Sequence, residues 1–113
     1  MVDHRSVQLD CVFHALSHGT RRRILARVAR SECTISELAR PFPVSLEAVS
    51  QHVRVLERAG LVRRTRSGRV HRCRFEPRPL RRAATLLAEL TQFWEERLDG
   101  LDRYLAAPIP EKR

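Results

Sequence analysis

The sequence has no long apolar run, almost no lysine and few cysteines. No stretch approaches the roughly 20 apolar residues of a membrane-spanning helix, and no apolar signal-peptide core follows the polar residues 1–5. Cys11, Cys33 and Cys73 are odd in number and far apart, which argues against a disulfide framework and fits a reducing compartment. We therefore expect a cytoplasmic protein that does not associate with membranes.

The sequence also lacks the groups of residues on which enzymes depend. Its acidic residues are scattered, so no carboxylate cluster suggests a two-metal site. No glycine-rich loop follows a predicted strand, and no cysteine has an evident histidine or aspartate partner. We predict that the protein is not an enzyme and uses no cofactor.

Positive charge is what the sequence has in excess. Of 113 residues, 22 are basic and 13 are acidic, the net charge is +9, and Lys112 is the one lysine. A GC-rich genome explains the preference for arginine over lysine but not its clustering. Eleven arginines lie between Arg54 and Arg82, against only Glu57 and Glu76. Such a local field suits a polyanion and favours nucleic acid as the partner.

Residues 34–60 are predicted to form two short helices separated by a turn. Thr34-Ile35-Ser36-Glu37 is a capping box, in which the threonine hydroxyl accepts a backbone N–H and the glutamate returns to the threonine amide. Pro41 begins the turn, because a proline disfavours helical geometry in the residue before it. Ser45 is a good N-cap for the second helix, and Gly60 is the residue type that commonly terminates helices.

The second of these helices has one apolar and one polar face. At 100° per residue, Val49, Val53 and Leu56 share the apolar face, with His52 at its edge as a structural residue. The opposite face carries short polar and arginine side chains, which a helix that reads the major groove of DNA needs. This polar face consists of Glu47, Gln51, Arg54 and Arg58, with Ser50 beside them.

After Gly60 the periodicity changes from helical to alternating. Residues 61–66 and 69–75 are β-compatible runs joined across Ser67 and Gly68, which predicts a hairpin with arginines on one face and at its tip. Helix, turn, helix and basic hairpin in this order make a winged helix-turn-helix. We predict a mainly α fold with a small β-hairpin: a single domain over residues 1–113, with the helix-turn-helix at residues 34–60 and the wing at residues 61–75.

Two flanking helices, over residues 6–17 and 79–106, carry narrow apolar stripes. The second would be on the order of 40 Å long, against a radius of gyration of about 13–14 Å for a globule of this size. Since one domain cannot cover such a stripe, we predict long N- and C-terminal dimerisation helices in a two-fold homodimer. The alternative is a brace across the hairpin within one chain. The predicted interface residues are Leu9, Val12, Phe13, Leu16, Leu87, Trp94, Leu98, Leu101 and Leu105.

These motifs, taken in order, resemble the ArsR/SmtB-type bacterial repressors, which are dimeric. The resemblance covers nearly the whole chain and is specific because several motifs occur at the right distances. They are residues 34–39, 45–53, 56–62 and 68–69. The resemblance implies a winged helix-turn-helix that binds double-stranded DNA. Two reading helices in one dimer predict a roughly palindromic operator, with half-sites one helical turn or a multiple apart.

The resemblance also implies which residues contact DNA. Bases are read from the positions of Leu46, Glu47, Ser50 and Gln51, of which Gln51 suits adenine, Ser50 suits several base edges and Leu46 offers only an apolar contact. Glu47 either accepts from cytosine or stabilises the helix N-terminus, and Arg54 either reads guanine or touches phosphate. Backbone or minor-groove contacts are expected at the wing, from Arg64, Arg66, Ser67 and Arg69. The remaining candidates are Thr34 and Ser36, with capping as the simpler role of Thr34, together with Ser45 and Arg58.

Both metal sites of this family are absent by motif. Its thiolate pair would fall at the positions of Thr34 and Ser36, and its second site needs a histidine that residues 79–106 do not contain. Cys11, His14 and His18 have a spacing that would put them on one side of a continuous helix, as a partial set for zinc or nickel. We take them as surface or interface residues, with this metal site as the alternative. Cys73 alternates with His71 and Phe75 and is interpreted as a small buried residue rather than a redox sensor.

The sequence thus predicts a cytoplasmic, homodimeric repressor of transcription, similar to the metal-independent autorepressor branch of the family. A first alternative is a repressor that responds to a metal or a thiol reagent through Cys11, His14 and His18 or through its cysteines. A second is a protein-interaction module that kept the winged fold without specific DNA binding, although such a module would not need the arginines of the wing. The operator, the regulated genes and any effector stay unknown.

Overall fold

The computed structural model describes residues 4–108 of the chain. Over these residues it contains five α-helices and a three-stranded antiparallel sheet, which confirms the predicted winged helix-turn-helix fold. The helices are α1 (His4–Leu16), α2 (Gly19–Arg30), α3 (Ile35–Ala39), α4 (Leu46–Arg58) and α5 (Arg78–Ala106). The strands are β1 (Cys33–Thr34), β2 (Val62–Ser67) and β3 (Val70–Phe75).

The chain divides into two compact units. The N-terminal unit ends at Ala83 and includes α1 to α4, the sheet and the start of α5. The C-terminal unit begins at Ala84, and its described part is the rest of α5 and the two residues after it. No helix within residues 4–108 is long and apolar enough to cross a membrane.

The sheet has one strand more than the predicted hairpin. The strand order is β1-β3-β2, and β1 pairs Cys33 with Cys73 and Thr34 with Arg72. A strand of two residues is too short to show an alternating pattern, so it left no periodic signal in the sequence. It joins the start of α3 to the wing by backbone hydrogen bonds.

The turn of the wing lies one residue later than predicted. Ser67 pairs with Val70, so Gly68 and Arg69 form a two-residue loop and Ser67 belongs to β2. Gly68 has φ +61°, whereas no residue other than glycine has a positive φ among those described. A left-handed first residue followed by an ordinary second one fits a type II′ turn, whose twist suits a hairpin.

Gly60 ends α4 as predicted, with φ +76°. Its N–H donates to the Glu57 carbonyl at 2.9 Å, and the N–H of Leu61 donates to the Leu56 carbonyl at 3.0 Å. These two bonds are the Schellman pattern, and the buried Leu56 and Leu61 provide the apolar contact that often accompanies it. A Cβ atom at Gly60 would lie 3.3 Å from both Gln8 Nε2 and Pro79 Cγ. The chain therefore turns from α4 into the wing where only a glycine fits without strain.

The core lies in the N-terminal unit, between α1–α4 and the sheet. Each helix buries residues at three- and four-residue spacings, which is why the periodicity of the sequence located the core correctly in α4. The largest side chains without exposed surface are Ile24, Leu38, Leu56, Leu61, Val12, Val49, Val53 and Cys73.

Val12 is a correction to the predicted dimer interface. It has no exposed surface and belongs to the core of its own chain, so it is not available to a partner. Leu9, Phe13 and Leu16 are partly buried against the same core. The apolar stripe of α1 was assigned wrongly at Val12 because a sequence shows that a stripe must be covered but not which surface covers it.

In the C-terminal unit, the apolar side of α5 is exposed. Trp94 is 62% exposed, Leu98 53% and Leu105 69%. Local pairs order the polar side chains of the helix: the Arg97 guanidinium lies 4.6 Å from the centre of the Phe93 ring. With 29 residues, α5 is ~43 Å long at 1.5 Å per residue. A long helix therefore presents an uncovered apolar surface.

Replacing Gly60 by alanine should lower the free energy of unfolding by roughly 2 kcal/mol, because left-handed strain combines with two close contacts. Gly68→Ala is the matched control: its φ is similar, but its Cβ meets nothing within 4 Å, so a loss of about 1 kcal/mol is expected. Thermal or urea unfolding measures both. Equal losses would show that crowding at Gly60 contributes nothing.

Candidate nucleic-acid interface

The helix-turn-helix is held at the start of α3 by Thr34. Its hydroxyl accepts the backbone N–H of Glu37 at 3.2 Å, which confirms the predicted N-cap. The glutamate half of the capping box differs from the prediction, since the Glu37 carboxylate accepts from the Thr34 hydroxyl at 3.1 Å. Thr34 also lies in β1, opposite Arg72, and this strand was missed in the sequence. Capping therefore engages the Thr34 hydroxyl.

The start of α4 is fixed in the same way by Ser45. Its hydroxyl accepts the backbone N–H of Ala48 at 3.1 Å, as the sequence predicts. The first turn contains Glu47, whose negative charge favours the positive end of the helix dipole. Because both ends of α4 are defined by caps, local sequence determines where the helix begins and ends. Helical geometry then determines which side chains share a face.

The predicted division of α4 into two faces is present in the structure. Val49, Val53 and Leu56 have no exposed surface. Leu46 is 54% exposed, and Ser50 is partly buried. The other predicted contact residues on this helix are all exposed, namely Glu47, Gln51, Arg54 and Arg58. The helix therefore presents its polar side chains to solvent and packs its apolar face into the core.

A groove of about 490 Å³ runs between the start of α3, the start of α4 and the wing. We call it the reading groove. It brings together seven of the thirteen predicted DNA-contact residues: Thr34, Ser36, Leu46, Glu47, Ser50, Arg64 and Arg69. Three further lining residues were not predicted, Ile35, Val70 and His71. Val70 is 47% exposed. Its position directly after the turn of the wing was the one signal in the sequence that could have marked it.

Arg64 differs from the other predicted wing contacts because it lies largely inside the protein. Its side chain is 14% exposed, and Nη2 is 2.6 Å from the carboxylate of Glu57 on α4. Its Nη1 is 3.4 Å from Nδ1 of His71 on the neighbouring strand. Arg64 thus joins the wing to α4 and is not free to bind phosphate, a correction that follows from the inward side of β2.

The tip of the wing is exposed at Arg66, Ser67 and Arg69. The Nε of Arg66 donates to the Gly68 carbonyl at 3.4 Å, which is a weak constraint. Arg69 follows the glycine in the two-residue loop and also lines the reading groove. The tip of the wing therefore presents two arginines to solvent.

Positive charge is concentrated in the N-terminal unit. Residues 1–83 contain 18 basic and 7 acidic residues, whereas residues 84–113 contain 4 basic and 6 acidic residues. The units therefore carry net charges of opposite sign, +11 and −2. The unit that contains the reading groove is the one that attracts a polyanion.

The alternative metal site is not assembled. Within residues 4–108, no three histidine, cysteine, aspartate or glutamate side chains are grouped so that they could hold a metal ion. Cys11 and His14 line a small cavity beside α4. His18 follows the end of α1 at Leu16 and is the N-cap of α2, where its Nδ1 accepts the N–H of Thr20. The spacing required one continuous helix, and the break after α1 separates His18 from the other two.

The thiol of Cys73 in the wing is not reactive at neutral pH. Cys73 has no exposed surface, as its alternation with neighbouring residues predicts. Burial raises its pKa to about 11, and the nearby charge of Arg64 only partly opposes this. At neutral pH Cys73 is therefore a thiol and a poor nucleophile.

Comparison with known proteins finds transcriptional regulators among the matches. A family model described as a helix-turn-helix domain matches residues 16–65. The HTH-type transcriptional regulator Rv2034 of Mycobacterium tuberculosis is 41% identical over 91 residues, which cover 80% of this chain and 82% of that protein. The transcriptional repressor SdpR of Bacillus subtilis is 33% identical over 60 residues, covering 53% and 67%. The crystal structure of RHA00566, described as an ArsR family transcriptional regulator, superposes with a TM-score of 0.76 at 38% identity, covering 84% and 97%.

The raised pKa of Cys73 predicts a loss of stability in alkali. An unfolded cysteine ionises near pH 9, whereas the folded Cys73 keeps its proton to about pH 11. The contribution of the protonated thiol to the free energy of unfolding is therefore fully present below pH 9 and is lost between pH 9 and pH 11. Denaturant unfolding of the wild type and of Cys73→Ala between these pH values measures it. The variant should lose less stability than the wild type over this interval, and identical slopes would refute the assignment.

Proposed function

This chain belongs to the ArsR family of winged helix-turn-helix transcriptional regulators, and we propose that it acts as a homodimeric repressor of a roughly palindromic operator. Family membership establishes a DNA-binding regulator that is not an enzyme. The observation that carries the proposal is the reading groove, in which the starts of α3 and α4 and the wing line one surface. As a regulator of bacterial transcription, it acts in the cytoplasm, where the DNA is.

We assign base recognition to the exposed face of α4. The Gln51 amide can make two hydrogen bonds to adenine, and the Ser50 hydroxyl can donate or accept at several base edges. Leu46 offers an apolar surface for a thymine methyl group, while Glu47 accepts from cytosine. Arg54 and Arg58 lie further along the exposed face and reach guanine or the adjoining phosphates.

Contacts to the DNA backbone come from the rim of the reading groove. At the wing they come from Arg66, Ser67 and Arg69, which are exposed and supply affinity with little base information. At the helix starts, Ser36 is exposed, and the Ser45 hydroxyl can donate to phosphate while it accepts the N–H of Ala48. The Thr34 hydroxyl is engaged on both sides by Glu37, so its phosphate contact requires release of the Glu37 carboxylate. Arg64 is left out of this set and positions the wing through Glu57.

The proposed dimer rests on the exposed side of α5. Leu87, Trp94, Leu98, Leu101 and Leu105 are each 50–69% exposed, and a monomer in water would leave this apolar surface uncovered. A second copy covers it by two-fold pairing, because such an interface is self-complementary. The exposed parts of Leu9, Phe13 and Leu16 on α1 contribute, without Val12.

Repression follows from steric exclusion. Two reading helices related by the dimer axis enter successive major grooves, and the wings contact the flanking backbone. Polymerase is then excluded from a promoter that overlaps the operator. The relative SdpR is named a transcriptional repressor, which supports this direction of control. We propose that no metal ligand is needed, since Thr34 and Ser36 occupy the positions of the thiolate pair of metal-sensing relatives.

Gln51→Ala should lower specific binding by ~1–3 kcal/mol and leave non-specific affinity unchanged, because it removes base contacts only. The probe is a duplex that the wild-type protein selects from random sequence near physiological salt, with a scrambled duplex as the competitor. Fluorescence anisotropy measures both affinities. An equal loss on both duplexes would contradict the reading role.

Arg69→Ala is the matched comparison at the wing. It should weaken binding to selected and scrambled duplexes alike and reduce the salt slope by roughly one unit for each lost phosphate contact. A changed sequence preference would mean that the wing reads bases.

If the wild type selects no duplex above scrambled DNA, the protein is not a sequence-specific repressor. DNA from upstream of its own gene tests autorepression in the same assay.

Leu98→Glu should convert the dimer to a monomer, since a carboxylate would be buried in an apolar interface. Val44→Glu is the matched control, because Val44 is an exposed apolar residue of the N-terminal unit that the proposed interface does not include. Sedimentation equilibrium measures the mass of both variants. A wild-type protein that sediments as a monomer at micromolar concentration would overturn the proposed dimer.

A further inference from the structure

Arg21 is a buried arginine whose role is not explained by DNA contact. It lies in the first part of α2 and is 8% exposed. Its Nε donates to the carbonyl of Ala15 at 2.9 Å, and Nη2 donates to the carbonyl of His14 at 3.1 Å. These are carbonyls of the last turn of α1, where helix carbonyls lack partners within the helix and the dipole favours a positive charge. One guanidinium therefore holds the end of α1.

The third nitrogen of the same guanidinium faces the reading helix. Nη1 of Arg21 lies 3.4 Å from Nδ1 of His52 on α4. The ring of His18 lies beside the ring of His52, with the ring centres 4.6 Å apart and a 43° angle between the planes. His18 is in turn fixed as the N-cap of α2, where its Nδ1 accepts from Thr20. Arg21 thus touches α1 and the reading helix at once.

This contact requires a neutral His52. A guanidinium only donates hydrogen bonds, so Nδ1 of His52 must be the unprotonated nitrogen that accepts. Burial lowers the pKa of His52, and the charges of His18 and Arg21 act in the same direction, so the neutral form is present at neutral pH. Protonation removes the acceptor and places a positive charge beside the fixed charge of Arg21.

The charged groups that act on His52 among the described residues come from α2. From the side of α2, Arg21 and His18 face it, and both oppose protonation. At its end, α1 directs its last carbonyls to Arg21. The neighbouring cavity between α1 and α4 adds the titratable or charged side chains of Asp10, Cys11, His14 and Arg58.

We propose that His52 is a positioning residue, which holds the reading helix in place against α1 through Arg21. Protonation of His52 breaks this contact and lowers sequence-specific DNA binding. The proposal rests on the proposed function, in which α4 reads bases. Base contacts depend on the position of a helix to fractions of an ångström, whereas phosphate contacts by long arginines tolerate displacement. Acidification should therefore reduce the preference for specific DNA while the added positive charge maintains or raises general affinity.

The test measures affinity for the selected and the scrambled duplex between about pH 5 and 8, the range in which histidine charge changes. The ratio of the two affinities should fall roughly two- to tenfold on acidification of the wild type, the range expected for loss of one ordinary hydrogen bond. His52→Asn places an amide oxygen near the position of Nδ1 and does not titrate, so it should keep the neutral ratio at every pH. His52→Leu has no acceptor and should show the low ratio at every pH.

His4→Asn is the matched control, since His4 is an exposed histidine outside the contacts described above. It should show the same pH profile as the wild type. Circular dichroism reports whether each variant is folded, and if His52→Leu fails to fold, the profile of His52→Asn decides alone.

The inference would be overturned, while the proposed function stands, by a wild-type ratio that does not change with pH or by a His52→Asn profile that follows the wild type. A His52→Leu variant with the wild-type ratio at neutral pH would do the same. A wild type that never discriminates the two duplexes would instead remove the proposed function, and this inference with it.

Discussion

The structure depends on the complete burial of one face of α4. Val49, Val53 and Leu56 have no exposed surface, and burying three such side chains stabilises the fold by several kcal/mol, on the order of 1.5–3 kcal/mol each. The polar face of the same helix is presented to solvent only because its apolar face is held. The two caps, Ser45 at the start and Gly60 at the end, then fix where this helix begins and ends.

Two polar contacts attach the neighbours of α4 to it. The ion pair between Glu57 and Arg64 joins the helix to the wing, and the contact between His52 and Arg21 joins it to the end of α1. Each uses an arginine that is mostly buried, where an unpaired charge would be costly. The excess of arginine therefore has two uses: most side chains give a field that attracts DNA, and a few hold the elements that carry the reading residues.

The sequence allowed the local part of this architecture to be predicted, and it did so for physical reasons. Caps such as Thr34 and Ser45 act within four residues of themselves, and the faces of α4 follow from helical geometry. What it did not reveal depends on residues far apart in the chain. Strand β1 exists because Cys33 meets Cys73, and Arg64 points inward because Glu57 receives it. Val12 was misassigned because core and partner both cover an apolar stripe.

The order of buried and exposed apolar residues along the chain also bears on how the protein is made. Within residues 4–108, every fully buried core residue precedes Ala84, and the exposed apolar side of α5 follows it. Chains are synthesised from the N-terminus, and their earlier parts fold first. The core, which includes Ala83 on α5, can therefore close while the later part of α5 is still within the ribosome, so the exposed apolar surface emerges after the core residues. If the order were reversed, the exposed apolar surface of α5 would be present while the core was still unfolded, and this combination favours aggregation.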